Sequence, residues 1–158
     1  MSLEDLGNIG EFVAAVGVII SLIYLGVQIR QNTRSVRTAS YQSWFDSYSN
    51  FSNTILASPE LDALIHRGAT DPDSLTPEER RHFNGISRRG FRLWENLYYH
   101  RLQGTIDADL YSTWRDNFSR RYAQPPGVKL FWVEEQGEFS EVFREEIKKC
   151  FEAQKGTD

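Results

Sequence analysis

From Phe12 to Ile29 the chain reads FVAAVGVIISLIYLGVQI, apolar throughout except for Ser21, Tyr24 and Gln28. At a rise of about 1.5 Å per residue, a helix over this segment covers roughly 27 Å, close to the hydrocarbon thickness of a bilayer. Beyond Ile29 the pattern changes character. Tyr41, Trp44, Tyr48, Phe51 and Ile55 recur at intervals of three and four, the period of a helix that buries one side. Neither proline nor glycine interrupts Val27 to Ala57. The pattern therefore predicts one long helix, apolar all round at first and amphipathic afterwards.

The remaining elements are marked by caps and breakers. Ser58-Pro59-Glu60 stops the first helix and starts a short one, with Ser58 as cap, Pro59 in the first turn and Leu61, Leu64 and Ile65 inward. Asp71-Pro72-Asp73-Ser74 is a loop, and Thr76 with Glu79 forms a capping box. The helix that follows, from Pro77 to Gln103, is expected to bury Phe83, Ile86, Leu93, Trp94 and Leu97, with Gly104 ending it in the left-handed conformation. Asp107 is placed to cap a further helix, whose inward side is Leu110, Trp114, Phe118 and either Tyr111 or Tyr122. Pro125-Pro126-Gly127 ends it. A last helical region carries Val128, Phe131 and Trp132, loosens at Gly137, and resumes with Phe139, Val142, Phe143, Ile147 and Phe151. No alternating run is long enough for a strand. The expected fold is all-α: one N-terminal transmembrane helix continuing into a cytoplasmic bundle of four long helices. Residues 1–37 make the transmembrane helix and a basic juxtamembrane segment, residues 38–155 the bundle, which holds all four tryptophans, and residues 156–158 a frayed tail.

Charge orients the segment. Its leading flank carries Glu4, Asp5 and Glu11 and no Lys or Arg, whereas Arg30, Arg34 and Arg37 follow the span directly. The positive-inside rule then places the chain in the inner (plasma) membrane as a single-pass protein with its C-terminal domain in the cytoplasm. A signal peptide would need a positive leader and a small-residue cleavage site. Within the span, Gly10, Ala14, Gly17 and Ser21 fall at heptad intervals and make one stripe of small residues. In lipid, helices associate through close backbone approach, so this stripe is the expected contact of a homo-oligomer. The same spacing leads on to Tyr24 and Gln28. Ser21, Tyr24 and Gln28 are accordingly the candidates for a pore lining, although the stripe supplies neither a charge ring nor a carbonyl filter.

Composition narrows the chemistry. Over 158 residues the mean hydropathy is -0.50 and the formal net charge -4, with a sequence pI of about 5.4. That balance argues against nucleic acid as a partner, which calls for excess positive charge. One cysteine, Cys150, excludes an internal disulfide. Phosphate loops, HExxH and paired-cysteine zinc patterns are missing from the sequence, so no catalytic residue, cofactor or metal is assigned. His66, His82 and His100 lie in different elements. The densest polar and aromatic patch is WENLYYHRLQGTID, where Glu95, Tyr99 and His100 are the candidates for a ligand pocket. Glu95 could serve there as a base beside Trp94, but an ion pair with Arg92 or Arg88 is the favoured reading. Arg80, Arg81, Arg88, Arg89 and Arg92 are expected to pair with Glu134, Glu135, Glu138, Glu141, Glu145 and Glu146.

The segment ISLIYLGVQIRQNTR, followed by ENLYYHRLQGTID and later Trp114-Arg115, resembles a group of small bacterial membrane-anchored, all-helical proteins. That resemblance implies architecture and brings no activity with it. The expected function is a membrane-anchored homo-oligomer acting as a scaffold or interaction module, with the lipid bilayer and its own copies as partners. An oligomeric ion channel and a membrane-tethered ligand sensor or enzyme built on the Glu95 region are the alternatives.

Overall fold

A computed structural model describes residues 3–155, and side chains over residues 10–121 and 124–152. The expected tail at 156–158 and the Tyr122 side chain lie outside these. Among the described residues there are six α-helices and no strand. They are α1 (Leu3–Leu56), α2 (Pro59–Thr70), α3 (Pro77–Leu102), α4 (Ala108–Phe118), α5 (Pro126–Glu135) and α6 (Glu141–Lys155). Short 3-10 turns lie at Pro72–Ser74 and Gln136–Glu138, and a π-helical turn at Ser119–Ala123. The chain divides into two units, Met1–Ala39 and Ser40–Asp158.

Local chemistry explains most of the boundaries. The Ser58 hydroxyl accepts from the Leu61 N–H at 3.2 Å, with Pro59 in the first turn of α2. At the start of α3, Thr76 Oγ1 accepts from the Glu79 N–H at 3.2 Å, while Glu79 Oε2 accepts from the Thr76 N–H at 2.9 Å. The two bonds satisfy two donors that every helix start leaves open. At the far end Gly104 takes φ 69°, and the Thr105 N–H turns back to the His100 carbonyl at 3.0 Å. Only a residue without a side chain adopts that backbone conformation without strain. Asp107 sits at the cap position of α4 but makes no side-chain cap bond.

The capping box carries a pH dependence. The Thr76 N–H first, then the Arg67 guanidinium, hold the Glu79 carboxyl down at about 2, against an ordinary 4.5. A carboxyl lowered by folding contributes stability above its unfolded value and loses it as pH falls through the folded one. Glu79→Gln should therefore flatten the acid limb of the stability profile between about pH 4.5 and 2. Urea midpoints measured across that interval check this; parallel profiles for the two proteins would contradict it.

The interior of the second unit is aromatic. Phe91, Trp94, Leu97, Phe143 and Ile147 are wholly inaccessible. Trp94 stacks on Phe118 at 5.5 Å and meets Phe143 edge-on at 5.9 Å. Trp44, from the later part of α1, sets its ring edge-on to Trp114 at 4.8 Å and donates its N–H to the Leu93 carbonyl at 2.9 Å. Such pairs add roughly 1 kcal/mol each beyond the area they bury. Tyr111, one of the two tyrosines that the spacing offered, is buried.

Several expectations are corrected. Val142 was placed on the buried face and is half exposed. The turn at Gln136–Glu138 leaves Phe139 extended and restarts the helical phase at Glu141, so that Cys150 joins the expected Phe143 and Ile147 on the inward face and Val142 does not. That turn also divides the last helical region into α5 and α6, so the four long helices and one short helix expected become six α-helices among the described residues. Pro126 opens α5 from its first turn, the one helical position where a missing N–H costs nothing. Phe91, Gly90 and Ser87 are buried on α3 without having been singled out from the pattern.

Candidate functional site

Every residue from Gly10 to Ala39 is exposed. The described residues contain one helix long and apolar enough to cross a membrane by length and composition, and none of its most apolar window is buried by the rest of the chain. Phe12, Ile20, Leu22 and Ile23 are each more than half exposed. A contiguous apolar surface of this extent is unfavourable in water and calls for cover by lipid or protein. The polar groups inside the segment bond within the helix: Ser21 Oγ donates to the Gly17 carbonyl at 2.8 Å and Gln28 Nε2 to the Tyr24 hydroxyl at 3.0 Å. A hydrocarbon environment demands that arrangement, because it offers no water to take their place.

Gly10, Ala14, Gly17 and Ser21 share one face of α1 by helical spacing, and a Cβ on Gly10 or Gly17 would meet no atom within 4 Å. Ser21, Tyr24 and Gln28 continue that face. With Ser21 and Gln28 bonded inside their own helix, the geometry adds nothing to the pore reading.

The Glu95 region is a structural junction. Glu95 Oε2 accepts from Arg92 at 2.6 Å, and Oε1 accepts from both the Ser140 N–H at 2.9 Å and the Ser140 hydroxyl at 2.8 Å. Arg92 also donates to the Glu138 carbonyl at 2.8 Å and lies 4.5 Å above the Phe139 ring. The carboxylate is thus engaged on both oxygens and ties α3 to the turn that starts α6. His100, by contrast, has its Nδ1 within 2.9 Å of Thr105 Oγ1 at the end of α3, and Tyr99 is exposed. Glu95 and His100 therefore bond to different partners.

A second buried polar group was not anticipated. The Tyr111 hydroxyl donates to Glu146 Oε1 at 2.9 Å, joining α4 to α6. Burial, then the Glu146 charge, raise the Tyr111 pKa. Burial likewise pushes the Cys150 thiol up to about 11, with Glu146 adding to it. Cys150 is consequently an inert, protonated thiol rather than a nucleophile. Trp94 Nε1 has no well-aligned hydrogen-bond partner, although it lies near enough to Tyr111 to oppose that upward shift. Spacing alone could not pair residues 35 positions apart.

The charge pairing between α3 and the later chain is present in part. Arg80 meets Glu134 at 3.2 Å, and Arg88 meets Glu135 at 3.2 Å and Glu138 at 2.6 Å. Glu146 turns to Tyr111, while Arg81, Arg89, Glu141 and Glu145 stay exposed. These pairs are partly solvated, so each contributes at most about 1 kcal/mol and chiefly sets register. Among the described residues no group of three or more His, Cys, Asp or Glu side chains is placed to hold a metal ion. Comparison with protein-family models, curated proteins and solved structures finds no match to this chain.

Proposed function

We propose that the chain is a single-pass membrane protein whose apolar segment spans the bilayer, with residues 38–155 forming a cytoplasmic helical bundle that serves as an interaction or scaffold module. The observation that carries this reading is the run of exposed apolar side chains from Phe12 to Ile29, whose polar members Ser21 and Gln28 bond within the helix. The acidic leader and the arginines after the span support the orientation. Self-association through Gly10, Ala14, Gly17 and Ser21 completes the proposal, since bare backbone on one face lets a second helix approach closely. The reading assigns no catalytic residue.

Extraction of membranes with alkaline carbonate, followed by light scattering of the detergent-solubilised native chain and Gly17→Leu, tests it. Retention in the pellet is expected, with a defined oligomer that the leucine dissociates. Release into the carbonate supernatant would end the spanning reading, and a native monomer would end the oligomeric part.

A further inference from the structure

The face of α1 opposite the small-residue stripe has an order of its own. At 100° per residue, Ile19 and Ile23 lie in one row, Gly26 follows a turn later, and Arg30, Arg34 and Arg37 continue it. All six are exposed. A Cβ on Gly26 would meet no atom within 4 Å, so bare backbone separates the last apolar side chain of the row from the first guanidinium.

Depth gives this row a meaning. Ile19 to Ile29 rises about 15 Å, half the thickness of a bilayer core. Counted from Ile29, Arg30 stands roughly 1.5 Å, Arg34 roughly 7.5 Å and Arg37 roughly 12 Å beyond the hydrocarbon. A headgroup layer is only about 5–7 Å deep on each side. Arg30 therefore falls inside the headgroup layer and Arg34 at its outer edge, from which its long side chain reaches back to the phosphates, while Arg37 stands beyond it.

We propose that this row is a binding site for an anionic phospholipid of the cytoplasmic leaflet. One acyl chain lies along Ile19 and Ile23, its upper part passes the bare Gly26 backbone, and Arg30 and Arg34 hold the phosphate and the acidic headgroup. Guanidinium groups suit this task because their planar donors match phosphate oxygens in pairs. Phosphatidylcholine also offers a phosphate, but its own cation cancels the attraction that a net negative lipid keeps. The site rests on the spanning reading proposed above.

The test uses the full chain reconstituted in phosphatidylcholine bilayers with a minority of phosphatidylglycerol, and compares the motionally restricted fractions of spin-labelled versions of the two lipids. The native protein is expected to restrict phosphatidylglycerol several-fold more than phosphatidylcholine. Removing Arg30 and Arg34 together, as Arg30→Gln/Arg34→Gln, should bring that preference down close to unity. Added salt should weaken it in the native chain. Equal restriction of the two lipids by an inserted native chain would overturn the site alone, as would a preference unchanged in the double variant. Failure of the chain to insert would overturn the spanning reading and this inference with it.

Discussion

Gly127→Ala should lower the stability of the helical domain by on the order of 4 kcal/mol. A Cβ on Gly127 would run into the carbonyl oxygen of Gly68, where α2 crosses the start of α5. Side chains in a crowded interior can rotate aside; two backbones held by their own helical bonds cannot. The whole crossing must separate, and with it the cover that α2 gives to Phe83, whose ring already fills the space beside Gly68. Equilibrium urea unfolding of the detergent-solubilised chain checks this, with a lower midpoint and an unchanged slope expected. A loss below about 1 kcal/mol would mean that α2 and α5 tolerate a wider crossing.

Glu95→Ala is expected to cost about 3 kcal/mol, less than Gly127→Ala but far more than loss of its exposed partner. The change leaves the Ser140 N–H and hydroxyl without their acceptor and removes the ion pair to Arg92 in the same step. Arg92 is half exposed, so Arg92→Ala returns a solvated charge to water and should cost about 1 kcal/mol. Glu95→Gln keeps an oxygen for Ser140 and should fall between the two. The same unfolding measurement ranks the three variants. Equal losses for Glu95→Ala and Arg92→Ala would show that the ion pair, and not the bond to α6, holds the junction.

The sequence carried whatever is decided within a helical turn. Thr76 and Glu79, Ser58 and Pro59, and Gly104 all signal their roles through residues three to five positions away, and the structure places each as expected. The apolar stripes of α1 and α3 follow for the same reason, since helical period converts spacing directly into a face. The Arg92–Glu95 pair was likewise within reach, being three residues apart. What could not be read is what tertiary packing alone decides. Ser140 meets Glu95 from 45 positions away, Glu146 meets Tyr111 from 35, and Gly68 touches Gly127 with no chemical signature beyond the absence of a side chain. Val142 illustrates the limit most plainly. Its spacing from Phe139 fits an inward face only if one helix runs through both, but Phe139 is extended and α6 starts only at Glu141. For the ligand pocket, proximity in sequence grouped Glu95, Tyr99 and His100, while the fold gives Glu95 to Ser140 and His100 to Thr105.

The placement of the tryptophans makes the two units optically distinct. All four indoles lie in Ser40–Asp158, whereas Met1–Ala39 holds no aromatic ring beyond Phe12 and Tyr24. Indole emission and the indole bands of the near-ultraviolet ellipticity therefore report the packing of the second unit alone. Far-ultraviolet ellipticity also counts the long turns of α1, which are free to persist in detergent when the aromatic interior has come apart. A preparation that loses its near-ultraviolet bands but keeps all its helical signal has thus lost only the packing of the second unit, whereas one that keeps a minor part of that signal retains the helix of the first unit alone.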